Sequence, residues 1–227
     1  MEQNYLSTLD DIILSQNAVD YFYDKYTNDK HFSQWLDNTI PYIKPCEKQE
    51  QNNPWHKYNV LRHILHSVEE MNKQSKSLPK KDRKILAYTM FFHDMGKPEK
   101  HIVREKDGRQ IDSFFDHNVR SAEIVEEILP KLGFNKEDTL KIVKLVYKHD
   151  IFMFIKEEKT NNPHWKVLTK DLILEEIKDL NKIGDGYKLI KYLVMVGRSD
   201  NLAQNEKMTT DSLRLLDNFE KMLNEMV

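Results

Sequence analysis

Apolar residues recur every three or four positions along nearly the whole chain, a period that suits helices and does not suit strands. Val60, Ile64, Val68 and Met71 form one such stripe, Leu140, Val143, Val146 and Tyr147 a second, and Leu189, Leu193 and Val196 a third. Only 6 glycines and 7 prolines interrupt 227 residues, so few positions break a helix once it has begun. The chain is expected to be all-α, and its length suffices for a full core. No stretch reads as a linker, so one domain over residues 1–227 is expected.

Local signals divide this pattern. Thr8 with Leu9-Asp10-Asp11 predicts the cap of a first helix whose face holds Ile12, Ile13, Val19 and Tyr23, and a shorter helix is expected over His31 to Thr39. Pro45 and Pro54 among polar residues predict a loop from Ile40 to Lys57, followed by a helix from Tyr58 to Ser75. Pro79 suits the first turn of a helix that ends at His93-Asp94, where Gly96 and Pro98 stop it. Ile102-Val103-Arg104 and Gln110-Ile111 around Asp107-Gly108 predict a small hairpin or lid near 102–111. A helix from His117 closed by Gly133 follows, then one capped by Asn135 and ending at Lys148-His149-Asp150. Lys156 to Lys166 is expected as a loop, Lys170 to Lys182 and Gly186 to Gln204 as helices, and Thr210 as the cap of the last helix.

Composition excludes several classes of function. A single cysteine, Cys46, allows no internal disulfide, and no basic and apolar leader opens the sequence. No apolar run approaches the ~20 residues of a membrane span. A formal net charge of −2 gives no general attraction to nucleic acid, and there is no DNA-binding motif. A cytoplasmic protein without a membrane partner is expected.

The chemistry lies where hydrophilic groups interrupt the apolar stripes. His63 falls on the stripe of its helix, and His149 extends Ile142, Leu145 and Val146. His117 stands one turn ahead of Ser121, and Asp200 continues the face of Leu189, Leu193, Val196 and Gly197. His93 and Asp94 end the apolar run of Leu86, Met90 and Phe91. Burying such groups costs free energy unless something pairs with them, and a shared metal centre accounts for all of them at once. Imidazoles and carboxylates without thiolate suit iron, manganese, nickel, cobalt, zinc or magnesium, and the number of donors allows one or two divalent ions. His66, near the edge of the face of His63, and His56, ahead of the helix, are expected to behave differently from His63.

The order His63, His93-Asp94, Asp200 resembles the HD-domain phosphohydrolase superfamily, and His117 with His149 resembles the additional pair of its two-metal members. Four motifs are similar to the HD domain attached to bacterial CCA-adding tRNA nucleotidyltransferases. They are Trp55-His56-Lys57-Tyr58-Asn59-Val60-Leu61-Arg62-His63, Phe92-His93-Asp94-Met95-Gly96-Lys97-Pro98, Phe115-Asp116-His117 with Ser121-Ala122-Glu123, and Ser199-Asp200-Asn201-Leu202-Ala203-Gln204-Asn205. The likeness spans about residues 53–205, with the helices on either side expected to pack on that core. There is no room for a nucleotidyltransferase head before Trp55, and Asp116 stands where the family has glycine.

The resemblance implies an HD-type helical bundle. It implies His63, His93, Asp94 and Asp200 at a first metal, with Asp94 bridging to a second held by His117 and His149. Asp94 and Lys97 would be the catalytic residues, and Lys97, Arg120 and Arg198 the contacts to substrate phosphate. It implies hydrolysis of a phosphomonoester or phosphodiester of a nucleotide or RNA end, including a 2′,3′-cyclic phosphate. A non-catalytic nucleotide-binding regulatory module and a deoxynucleotide phosphohydrolase are the alternatives.

Overall fold

The computed structural model describes residues 2–226 and is predominantly α-helical. In chain order the helices are α1 (Glu2–Ile13), α2 (Ala18–Asn28), α3 (Lys30–Thr39), α4 (Ile43–Lys48), α5 (Val60–Gln74) and α6 (Lys80–Phe92). After a hairpin come α7 (His117–Ile128), α8 (Lys136–Lys148), α9 (Lys170–Leu180), α10 (Gly186–Leu202) and α11 (Glu206–Asn224). The hairpin pairs β1 (Ile102–Lys106) with β2 (Arg109–Ser113), and Asp107 and Gly108 turn it at φ of 52° and 73°. Both values are positive, as the tight turns of twisted hairpins require.

Two helices form the centre. Every residue of α6 from Ile85 to Phe92 is buried, and α10 buries Leu189, Ile190, Tyr192, Leu193, Val194 and Val196 around most of its circumference. A helix apolar on nearly all sides must be enclosed. Accordingly α5, α8, α9 and α11 pack on α10, while α5, α7, α8 and α10 pack on α6. The ends of α6 and α10 converge on the first turn of α5, the start of α7 and the exit of α8.

Several expected boundaries differ. Thr8 lies inside α1, and the face holding Ile12 and Tyr23 belongs to two helices. The break between them is stabilised by Asn72, whose Nδ2 donates to the carbonyls of Ile13 and Ser15, both at 2.8 Å. The stretch 40–57 is not all loop, because α4 forms with Pro45 in its first turn, where a missing N–H costs nothing. Asn205, instead of Thr210, caps the last helix, accepting from Lys207 N–H. The turn after α8 tightens into a 3-10 helix over His149–Phe154, and a two-residue parallel pair, β3 (Ile155–Lys156) with β4 (Lys166–Val167), ties off the 157–165 loop. Among the described residues no helix is long and apolar enough to cross a membrane.

Gly96 plays a different part from the one its sequence position suggests. Its φ of −78° is open to any residue. What requires glycine is space: a Cβ there would stand 2.5 Å from the carbonyl oxygen of His117 and 2.7 Å from Ser121 N. The Gly96 N–H also donates to Ser121 Oγ at 2.9 Å, so the HD turn and α7 are in backbone contact.

Candidate metal centre

Three imidazoles are held in the same way. Nδ1 of His93 lies 2.6 Å from the carbonyl of Met90, that of His117 2.7 Å from Phe114 O, and that of His149 2.7 Å from Val146 O. A carbonyl only accepts, so each Nδ1 carries a proton, and whenever the ring is neutral its Nε2 turns a lone pair inward. His117 Nε2 and His149 Nε2 are then 3.2 Å apart with lone pairs facing, an arrangement that repels unless a cation or proton lies between them.

The carboxylates complete two cages that share Asp94. Its Oδ2 lies 3.3 Å from both His63 Nε2 and His93 Nε2, and those two nitrogens are 3.4 Å apart. Asp200 Oδ1 adds contacts of 2.9 Å to His63 and 3.7 Å to His93. On the other side Asp94 Oδ1 lies 3.1 Å from His117 Nε2 and 3.6 Å from His149 Nε2. Donors held about 2.1 Å from a tetrahedral or octahedral ion stand about 3.0–3.4 Å from one another, and these edges bracket that range. Among the described residues, the His63, His93, Asp200 set and the Asp94, His117, His149 set each meet within 4.8 Å, as donors to one ion must. His63, His93, Asp94 and His149 are almost completely buried, whereas Asp200 and His117 reach the rim.

Electrostatics follow from that burial. Burial disfavours charge on Asp94, yet His93 and Lys97 outweigh it and hold the carboxyl well below the usual range. Burial likewise opposes charge on His93, but Asp94 and Asp200 prevail and lift its pKa to about 10. A cation entering there displaces that proton. Metal uptake is therefore expected to release protons and to tighten as pH rises from about 6 towards the His93 value of about 10. Calorimetry in buffers of different ionisation enthalpy measures this, and a heat independent of buffer would contradict it.

Sequence reasoning missed the residues around Lys97. Its Nζ lies 2.6 Å from Asp94 Oδ2, 2.8 Å from Gln51 Oε1 and 3.2 Å from His56 Nε2. The His56 ring is 5.1 Å from that of His63, and burial, Lys97 and His63 push its pKa well below the ordinary value. Its Nδ1, 2.8 Å from Asn53 Oδ1, donates there, leaving Nε2 to accept from the ammonium. The Trp55-His56 pair was visible in the first motif, but the long gap to Lys97 was not. Asp150 was also missed, and it lies 3.3 Å from His117 Nε2 and 3.4 Å from His149 Nε2.

The two arginines expected at substrate phosphate are paired with other residues. Arg120 is engaged by Glu99, Glu123 and the Tyr42 hydroxyl, and Arg198 by Asp217 and Glu220 on α11. Asp116 is exposed with φ of 59°, a left-handed backbone that glycine or aspartate adopts readily, and its charge stays outside the centre. His66 pairs with Glu69 at 3.2 Å and stacks on Tyr58 at 4.4 Å between centroids. His66→Ala is therefore expected to leave metal uptake unchanged at a cost of about 1 kcal/mol in stability, while His63→Ala weakens uptake at least about tenfold. Equal metal loss in the two variants, measured by mass spectrometry, would contradict these positions.

Helices converging on clustered imidazoles and carboxylates define a metal-centre bundle. Residues 56–193 match the HD domain, more than half of the chain, and the protein belongs to that family. No curated protein matches the chain significantly.

Proposed function

We propose that this HD-domain protein is a metal-dependent phosphohydrolase acting on a phosphomonoester or phosphodiester of a nucleotide or RNA end, 2′,3′-cyclic phosphates included. The observation that carries this reading is the Asp94 carboxylate, which presents one oxygen to each of two donor sets. In it His63, His93, Asp94 and Asp200 would hold a first divalent ion, and His117 and His149, with Asp94, would hold a second. Divalent ions bound there supply the charge that acidifies a water nucleophile and neutralises phosphoryl oxygens.

The chain's own residues do the rest. Three backbone carbonyls fix the tautomers of His93, His117 and His149, so those imidazoles keep their orientation on binding. Lys97 sets a positive charge beside Asp94 where phosphate charge would gather, and Gln51 and His56 keep it in place. Two exposed aromatics support a nucleotide substrate. Trp55 precedes His56 in sequence and Phe115 stands two residues before His117, with Lys106 and Arg104 over their rings at 5.3 and 4.7 Å. Together they offer stacking surfaces and phosphate-seeking charge.

The likeness to the HD domain of CCA-adding enzymes directs the first assays to RNA ends. The regulatory-module alternative would be expected with a broken donor set, and here the set is intact. A screen of metal-loaded protein against 2′,3′-cyclic nucleotides, nucleoside monophosphates, deoxynucleoside triphosphates and an RNA ending in a cyclic phosphate tests the reading. Metal-dependent release from at least one ester is expected; inertness towards all of them would leave the non-catalytic alternative.

A further inference from the structure

We infer that Asp150 is a protein ligand of the second ion, so that both ions are held by two imidazoles and two carboxylates. This rests on the metal-centre reading above and extends its ligand set by a residue that none of the resembling motifs includes.

The geometry is specific. Asp150 Oδ2 lies 3.3 Å from His117 Nε2, and its Oδ1 lies 3.4 Å from His149 Nε2. Each oxygen thus faces one of the two lone pairs that Asp94 Oδ1 faces from the other side at 3.1 and 3.6 Å. With Asp150 the second cage has four donor residues, as the first has, and its imidazole edges of 3.1–3.6 Å fall within the 2.9–3.7 Å of the first. His149 and Asp150 open the 3-10 turn after α8, and the bond to Val146 O anchors the imidazole there. The Asp150 side chain is 16% exposed, at the rim beside His117, and its polar contacts among the described residues are these two imidazoles.

Charge gives an independent reason. Asp94, Asp200 and Asp150 with Lys97 leave the centre two units negative, and two divalent ions make it two units positive. That balances a phosphomonoester dianion. A second site with two carboxylates also suits a harder ion such as Mn²⁺ better than one dominated by imidazole.

The test is Mn²⁺ binding to the stripped protein, followed by calorimetry and native mass spectrometry, in wild type, Asp150→Asn, Asp150→Ala and Asp116→Asn. Wild type is expected to take two ions. Asp150→Asn and Asp150→Ala are expected to keep the first at wild-type affinity and bind the second at least about tenfold more weakly. Retention of the first ion shows that the variants remain folded. Asp116→Asn removes a nearby exposed charge and is expected to change neither site. Two ions at wild-type affinity in both Asp150 variants would overturn the inference while leaving the metal centre standing. So would an equal loss in Asp116→Asn, which would reduce the effect to a distant field. A wild type that binds no ion would refute the metal-centre reading itself.

Discussion

Asp94→Asn is expected to lower hydrolysis of any phosphate ester by at least about a thousandfold and to release both ions together. The amide keeps the shape of the side chain but loses the charge, and it can present only one acceptor oxygen where the carboxylate presents one to each cage. Lys97 loses its carboxylate partner in the same step, so its ammonium is no longer held at 2.6 Å from a negative oxygen. Asp200→Asn should release the first ion alone. Metal analysis of the purified variants separates these results, with circular dichroism to confirm that helix content is kept. Asp94→Asn protein with full activity and two bound ions would contradict the bridging role.

Gly96→Ala is the substitution expected to cost most in stability for the fewest atoms. A Cβ would stand 2.5 Å from His117 O, 2.7 Å from Ser121 N and 2.9 Å from Arg120 Cβ. Two of these atoms belong to the backbone of α7, so rotamer changes cannot relieve the clash and the helix must move. Overpacking of this kind costs about 2–4 kcal/mol, which for a chain of this size lowers the melting temperature by about 5–15 °C. Because α7 carries His117, the shift should loosen the second cage before the first. Thermal melts and ion stoichiometry together test this; an unchanged melting temperature would show that α7 yields freely.

The sequence revealed helices better than helix ends. Stripes on α5, α8 and α10 were legible because one buried face repeats every turn, and Asn135 was legible as a cap because its side chain serves Asp138 N–H locally. Tertiary partners decided the failures. Asn72 is 57 residues from Ser15, yet its amide satisfies the break between α1 and α2. The short α4 forms although its proline suggested a loop, because only the position within the helix decides whether proline is tolerated.

The candidate centre followed the same division. Histidines and aspartates interrupting apolar faces could be picked out, since a buried hydrophilic group needs a partner. Asp150 could not, because it lies in the short 3-10 turn after α8, beyond the apolar stripe of that helix. Gln51 and His56 were hidden for another reason: they meet Lys97 from a segment without helical period. Arg120 and Arg198 were expected at substrate phosphate, and their carboxylate partners on the turn after α6 and on α11 lie too far along the chain to be read from sequence.

The central claim is that phosphate-ester hydrolysis depends on ions shared across Asp94. It is tested most directly by titrating Mn²⁺ into chelator-stripped wild type while following both ions bound per chain and hydrolysis of bis-p-nitrophenyl phosphate. Hydrolysis is predicted to be absent from the stripped protein, to rise in step with uptake to two ions, and to stay absent in Asp94→Asn at every concentration. Undiminished hydrolysis by stripped protein shown to be metal-free, or by Asp94→Asn, would contradict the account.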